Sequence, residues 1–423
     1  MILRLIRRRF YRSRVWAFLA VAGPGLVAAN ADNDASGILG YSLAGARYEY
    51  RLLWALAVCV IALAVCQEMG ARMGTVTGKG LADLIREEFG VRITLVAMLA
   101  LLVANACTTV ANFAGILAAV RIFAGPDIRF VVLPGVAAVV WLLVSKGTYR
   151  GVERVLLAAA SVYLLYVVSA WLAHPPWATV LRETVAPSLR GLPNVHDYVF
   201  VLINLIGTTI TPWGQFYIQS SVRDKGIKAE EYGYTRIEVY GGALFTIAIA
   251  YFIVVCCGST LYAAGVHEIE DAGKAALALK PLAGTLATVL FAIGLFNSGC
   301  FGVVAVPLST AYALTESLGW ESGLGRRIRE APLFIGVYSL LVIGGAATVM
   351  LFPNHLTMLM IMANIVGGML LPIILVLMLR LVNNKRLMGD YTNGPIMNWV
   401  AVGTTALLIA LSLALVVGFF WTG

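Results

Sequence analysis

The sequence predicts an all-α integral membrane protein of eleven transmembrane helices, with the first and sixth discontinuous. Three observations lead there. Of 423 residues, 60% are hydrophobic and 13% charged, about half the roughly 25% charged fraction of soluble domains. Mean hydropathy is +0.86, more apolar surface than a water-soluble domain can cover. Long apolar runs fill nearly the whole chain, and two of them carry helix-breaking residues at their centres. Disorder, a collagen repeat and a secreted disulfide scaffold are excluded by the same arithmetic. At about 20 residues per crossing plus loops, the length allows about a dozen spans.

The runs lie at about 15–46, 52–73, 93–124, 130–146, 152–173, 197–222, 235–263, 281–315, 332–352, 355–382 and 397–421. Residues 1–14 carry six arginines and read as a basic cytoplasmic arm near anionic lipid, not a cleaved signal peptide, because a long span follows directly. With that end inside, 23 of the 31 Lys and Arg fall at cytoplasmic span ends. This excess supports a cytoplasmic N-terminus and an extracellular C-terminus. The basic balance of +9 therefore reads as membrane topology, with the lipid bilayer and no nucleic acid as partner. A multi-pass monomer in the cell (plasma) membrane is expected. The six cysteines sit inside apolar runs with no CxxC pair and read as packing residues. The four histidines (His174, His196, His267, His355) fall outside the runs, leaving none for a mid-membrane relay.

In the first run, GPGLVAANADNDASGILG places Asp32, Asn33 and Asp34 between apolar halves. In the sixth, GTTITPWGQFYIQSS places Pro212 and Gly214 at mid-membrane. Pro removes a backbone donor and clashes with the preceding turn, and Asn, Asp and Gly resist helix propagation. Non-helical backbone survives at that depth only inside protein or beside a water-filled cavity. Breaks at positions one and six predict two five-helix repeats of inverted topology, about 15–173 and 197–382, with a substrate site between them and residues 397–421 as an added helix. The halves share no obvious sequence identity.

Asp32 and Asp34 are the only acids deep in an apolar run; Glu68 and Glu238 sit nearer span ends. An ionised carboxylate at mid-bilayer costs several kcal/mol, in round terms, unless paired or coordinated. No Lys or Arg occupies a span centre, so a cation is the expected partner. Extended backbone would let both carboxylates face one ion, although either could serve instead as a helix cap. The expected ligand set is Asp34, Asp32, the backbone oxygens of Ala31 and Asn33, Thr211 with the freed carbonyls near Trp213 and Gly214, and the amides of Gln215 and Asn364. Trp213 would pack or wall the cavity, and Asn364 could equally make an interhelical hydrogen bond. The set is hard oxygen with no thiolate, thioether or imidazole, which suits Mg²⁺, Ca²⁺ or Mn²⁺. One or two carboxylates with neutral oxygens fit a partly hydrated Mg²⁺. No resident cofactor is expected; the metal is cargo.

At these residues a resemblance appears. LLWALAVCVIALAVCQEMGARMGTVTGKGLADLIREEFG (52–90), GPG at 23–25 and RLVNNKRLMGDYTN (380–393) resemble segments of the NRAMP divalent-metal transporters, and the likeness covers about residues 15–420. It implies the LeuT-like eleven-helix fold, with inverted repeats of helices 1–5 and 6–10, and transport rather than catalysis. The family's first-span motif is DPGN and its sixth MPH. Here the first reads Asp34-Ala35-Ser36-Gly37, and the sixth reads Thr211-Pro212-Trp213. The Asp is kept; the Asn, Met and His are lost. Thr109 and Asn112, both uncharged, stand where the family's third span carries acids for proton traffic, and Asn364 stands at a polar tenth-span position. Losing the thioether removes a preference for softer metals, and losing the acids and His removes a proton wire. The pattern resembles the NRAMP-related magnesium transporters. It implies uptake of Mg²⁺, with Mn²⁺ also accepted, by alternating access and without proton coupling.

Two rivals stand beside this reading: a proton-coupled Mn²⁺/Fe²⁺ transporter using other acids such as Glu68, and a sodium-coupled carrier of organic solutes. A membrane enzyme would need a nucleophile–base arrangement that the sequence lacks. TGKG at 77–80 lacks phosphate-loop spacing and predicts a short cytoplasmic helix through Leu81–Phe89. GRRIRE at 325–330 reads as a positive-inside anchor, and HEIEDAGK at 267–274 as a solvated outer loop.

Overall fold

A computed structural model describes residues 23–188, 194–269, 280–326 and 328–421. The basic arm, the start of the first run and most of the 267–274 loop lie outside the described residues. Sixteen α-helices follow one another, and no strand occurs among the described residues. They are α1 (Pro24–Ala31), α2 (Ala35–Tyr48), α3 (Leu53–Thr77), α4 (Leu81–Arg121), α5 (Arg129–Lys146), α6 (Tyr149–Val162), α7 (Leu164–Leu172), α8 (Trp177–Val185), α9 (Val195–Thr209), α10 (Pro212–Lys225), α11 (Tyr232–Cys257), α12 (Lys280–Leu318), α13 (Pro332–Leu351), α14 (Leu356–Val382), α15 (Lys385–Met388) and α16 (Pro395–Trp421).

Ten helical stretches are long and apolar enough to cross a membrane, α6–α7 and α9–α10 each counting as one. The broken pair α1–α2 supplies the remaining span, so the architecture is the expected eleven-helix, LeuT-like inverted repeat. Its two discontinuous spans are α1–α2 and α9–α10. Helix α8 is a short element between the fifth and sixth spans that the apolar runs did not announce.

The repeats show in the backbone as well as in the breaks. Gly90 (φ 81, ψ 172) kinks α4 and Gly284 (φ 82, ψ 169) kinks α12. These helices are the third and eighth spans, repeat partners in the predicted order. Both glycines sit just before the membrane-crossing part and take the positive φ that side chains with a Cβ resist. The kink at Gly90 also sets off the Leu81–Phe89 segment as its own short helix. Across the centre, α4 lies against both α12 and α14, forming a frame around the two broken spans.

Polar devices fix the rest. Pro372 lacks an N–H, which frees the carbonyl of Gly368 one turn earlier. Ser412 on α16 donates to that carbonyl at 2.9 Å, docking the eleventh span onto the tenth. Glu238 on α11 accepts from the backbone N–H groups of Gly23 (2.6 Å) and Leu26 (2.9 Å). It thereby satisfies the otherwise bare N-terminus of α1. At the far end of the same span, Arg47 and Tyr48 of α2 both reach Asp197 of α9 at 2.6 Å. The first span is thus anchored at both ends around its broken middle.

Candidate metal site

The first break is short. Asp32 closes α1 with helical angles (φ −67, ψ −18), whereas Asp34 is extended (φ −70, ψ 177). The expectation of a continuous extended stretch facing both carboxylates to one point is corrected accordingly. Asp34 is the N-cap of α2: its Oδ1 accepts from the Gly37 N–H (2.8 Å) and the Ser36 hydroxyl (2.7 Å). Its Oδ2 accepts from the Asn112 amide at 3.0 Å. Asn112 in turn accepts from the Ala35 N–H (3.0 Å) and donates to the Thr108 carbonyl (2.8 Å). A Cβ on Gly302 of α12 would lie 2.2 Å from Asn112 Oδ1, so this glycine makes room for the amide.

Asp32 has a different circle. The Thr211 hydroxyl donates to its Oδ1 at 2.6 Å and the Gln67 amide to its Oδ2 at 3.1 Å. It therefore ties the first break to the sixth and to α3. Both carboxylates are buried, Asp32 0% and Asp34 2% exposed. Neither has a basic partner among the described residues. Two helices, α2 and α10, begin in this region, and the N-terminal ends of their dipoles favour negative charge there.

At the sixth break, Ile210 and Thr211 are extended and Pro212 starts α10. Pro212 offers no N–H, so the Thr208 carbonyl loses its helical donor. The first break likewise leaves the Ala31 carbonyl without a backbone partner, because the Ala35 N–H turns to Asn112. The Trp213 carbonyl accepts from Ser309 at 2.8 Å, while its buried indole N–H has no partner. Gln215 is fully buried with neither amide atom partnered. In close-packed proteins such groups usually mark water, an ion or a functional constraint.

A cavity of about 10 Å³ lies between the breaks, lined in part by Asp34, Ser36, Thr108, Thr211, Trp213 and Asn364. That is room for about one water. Of the predicted residues, the cavity brings together Asp34, Thr211, Trp213 and Asn364. Ala31, Asp32, Asn33, Gly214 and Gln215 stand behind it. A Cβ on Gly214 would meet Asp32 Oδ1 at 3.3 Å, which keeps the carboxylate and α10 close. Asn33 donates to the Thr246 carbonyl (3.1 Å), and its own carbonyl accepts from Tyr163 (3.0 Å). Asn364 donates to the Ser36 carbonyl (3.2 Å) and to Asn204 (3.1 Å). Thr108 and Thr109 both turn their hydroxyls back, to the Ala104 and Asn105 carbonyls, and of the two it is Thr108 that lines the cavity.

Sequence reasoning passed over Ser36, Thr108 and Gln67. A helical repeat of small hydroxyls gives no signal of its own. Gln67, a lone amide beside Glu68 inside an apolar run, was a visible one. Among the described residues no group of three or more His, Cys, Asp or Glu is placed to hold a metal ion together, and the polar side chains lining the cavity are those of Asp, Asn, Ser and Thr with the Trp213 indole.

The family description "Natural resistance-associated macrophage protein-like" (Nramp) matches residues 25–418. The divalent metal cation transporter MntH of Ralstonia nicotianae is 26% identical over 398 residues, covering 90% of this chain and 87% of that protein. MntH of Klebsiella pneumoniae is 26% identical over 411 residues, covering 95% and 94%. Among solved structures, a manganese transporter of Eremococcus coleocola bound to an aromatic bis-isothiourea compound superposes with a TM-score of 0.75. It is 19% identical, with 94% of this chain and 86% of that chain covered. With the fold, the paired breaks and a match over nearly its whole length in agreement, the chain belongs to the Nramp family: it is a multi-pass membrane transporter of divalent metal cations, not an enzyme.

Proposed function

We propose that this transporter takes up Mg²⁺, and Mn²⁺ as well, as a partly hydrated ion, driven by membrane potential without proton coupling. The observation that carries this reading is the chemistry of the breaks: a buried Asp34 carboxylate with no base, surrounded by hydroxyl, amide and carbonyl oxygen. Such hard donors suit Mg²⁺ and Mn²⁺. Asp34 is the charged ligand. Thr211, Asn364, Gln215 and the freed backbone oxygen of Ala31 are neutral ligands to the ion or its waters; the carbonyls of Asn33 and Trp213 are held by Tyr163 and Ser309, and Gly214 lies within α10, so these three shape the site without being free donors to it. Asp32 adds its charge through the Thr211 hydroxyl it holds, and Trp213 limits the size of the guest.

A one-water cavity is too small for a hydrated ion, so the site must widen to load and unload. Alternating access supplies this as one helix group rocks against the other. The driving force suffices. A divalent ion crossing 100 mV gains about 4.6 kcal/mol, roughly a thousandfold accumulation. Asn112 and Thr109 carry no proton to exchange. Glu68, the acid a coupled mechanism would recruit, is held by Arg72 at 3.1 Å and by the Tyr232 hydroxyl. An N-terminus inside, a C-terminus outside and a monomeric unit complete the reading.

The test is uptake into proteoliposomes that carry an internal pH dye. Mg²⁺ and Mn²⁺ uptake that follows an imposed potential with a flat pH signal is the expected result. Acidification in step with metal entry overturns the uncoupled reading in favour of a proton-coupled Mn²⁺/Fe²⁺ transporter.

A further inference from the structure

A second site lies far from the breaks, on the lipid-facing side of the molecule. A groove of about 610 Å³ runs between α4, α14 and α16, within the roughly 300–1,000 Å³ typical of small-molecule sites. Its walls include Ile93, Val96 and Ala100 of α4, Ile373 and Val376 of α14, and Ile409 of α16. Several of these are well exposed: Val96 70%, Ile373 56% and Ile93 46%.

Apolar walls facing a bilayer are unremarkable by themselves; the charge at one end is not. Arg92 lines the groove and begins the α4 stripe 92, 96, 100. On α14 the stripe 373, 376, 377 continues at helical spacing to Arg380. The third and tenth spans cross the membrane in opposite directions. The start of one and the end of the other therefore share a membrane face, whichever face that is. Both arginines are exposed, and neither makes an ion pair or hydrogen bond among the described residues. Glu88, four residues before Arg92, is already taken by Arg386 and by the Asn384 amide at 2.9 Å. One free guanidinium, Arg92, thus lines the polar end of the trough, a second, Arg380, lies one turn beyond its Val376–Leu377 wall on α14, and every other lining side chain is hydrocarbon.

We propose that this groove binds an anionic phospholipid of the surrounding bilayer, one acyl chain lying along α4 and α14 and the phosphate held between Arg92 and Arg380. Guanidinium groups grip phosphate oxygens through paired N–H donors. Basic pockets between transmembrane helices at the headgroup level take anionic headgroups in this way. A zwitterionic lipid fills the trough equally well but carries an ammonium that offsets its phosphate, so selectivity rests on the two arginines. The site is independent of the metal and its coupling.

Native mass spectrometry of the full-length protein, delipidated in detergent and titrated with dioleoyl phosphatidylglycerol or dioleoyl phosphatidylcholine, reads it directly. At least about tenfold more phosphatidylglycerol than phosphatidylcholine should be retained, with that preference falling in high salt. The R92Q/R380Q double variant should bring the two lipids level. K228Q, which removes one exposed charge from the loop between the sixth and seventh spans, should leave the preference intact. A100L, which fills the trough without touching charge, should lower retention of both lipids. If the double variant does not fold, R92Q and R380Q singly should each lose part of the preference. Equal retention of both lipids by the unmodified protein overturns the proposal. So does a preference that survives loss of the arginines, or a dimer mass in place of lipid adducts.

Discussion

The two broken spans solve the same backbone problem with opposite chemistry. At the first, carboxylates stand in low dielectric, each held by a small set of donors: Asn112, Ser36 and the Gly37 N–H for Asp34, Thr211 and Gln67 for Asp32. At the sixth there is no charge. A proline, a threonine hydroxyl and a buried indole shape the wall, and several polar atoms on Trp213 and Gln215 have no partner. The two carboxylates of the first break are fully held, although the side-chain oxygens of Asn33 and Gln67 beside them have no partner; at the sixth the unpartnered atoms belong to Trp213 and Gln215, with no charge to organise them. Preorganised charge fixes where a cation sits, whereas a wall with spare polar atoms and one bulky ring determines what size of hydrated ion fits and how it is released. Affinity should therefore be most sensitive to the first break and selectivity to the sixth.

The largest effect belongs to Asp34. Asn is as good an N-cap as Asp, so Asp34→Asn removes the charge while keeping α2 capped. Uptake of both Mg²⁺ and Mn²⁺ should fall at least about a hundredfold, equivalent to about 2.7 kcal/mol. The protein's melting temperature should stay within a few degrees. Asp34→Ala should do the same to flux and also lower stability by about 1 kcal/mol through loss of the cap. Unimpaired flux in either variant removes Asp34 from the mechanism.

Asp32 should matter less, because it reaches the cavity only through Thr211. Asp32→Asn is expected to raise the KM for Mg²⁺ about tenfold, and Thr211→Val about as much. The two together should be far less than additive, since Asp32→Asn removes the charge and Thr211→Val the 2.6 Å contact that carries it to the cavity. Additive losses, read by initial-rate uptake, show that the two residues act on the ion separately.

The sixth break is probed through its wall. Trp213→Ala should leave Mg²⁺ uptake within about threefold while letting Ca²⁺ compete about tenfold better. Thr211→Met restores a thioether and should shift the Mn²⁺/Mg²⁺ uptake ratio several-fold toward Mn²⁺. A Trp213 variant that loses most of its Mg²⁺ transport and keeps its Mg²⁺/Ca²⁺ preference breaks the proposed division of labour.

These contrasts were legible to different depths in the chain itself. Asp34 and Pro212 were visible because acid and proline deep in an apolar run are costly and admit few explanations. The inverted-repeat order followed from their positions, and the LeuT-like fold from the family resemblance. The division between Asp32 and Asp34 was not visible. Whether a break of three residues is extended throughout or turns after one depends on what its N–H groups meet, and those partners, Asn112 and Thr211, come from spans far away in sequence. The choice of Thr108 over Thr109 as the cavity-lining residue is a matter of helix rotation by one residue, which an apolar run with polar residues on several faces does not fix. Glu238 sat near a span end and gave no hint that it caps α1, because a cap borrowed from another helix leaves no local motif. The Gly90 and Gly284 pair could have been read as a repeat signal, yet glycine is common in this chain, at 42 residues, and only their nearly identical backbone angles at matching places before the third and eighth spans single out these two.

The smallest expected effect tests why the first break needs no proton. Asn112 offers Asp34 an N–H donor at 3.0 Å and accepts the Ala35 N–H with its other side, so the carboxylate is satisfied in its charged form. Asn112→Asp replaces that donor with a second carboxyl of the same shape. Two carboxyls at that separation share one proton. While they hold it the site carries the unmodified protein's single charge there; once pH rises enough to remove it, the pair presents two charges to the ion. Affinity for Mg²⁺ should then increase with pH, by about threefold to tenfold between pH 6 and pH 8. Ion binding in that window should release a proton that the pH dye detects, while the unmodified protein stays flat over the same range. A flat profile in the variant means that Asn112 does not control the charge state of Asp34, and the absence of coupling must then originate elsewhere, with the Glu68–Arg72–Tyr232 contact the next place to open.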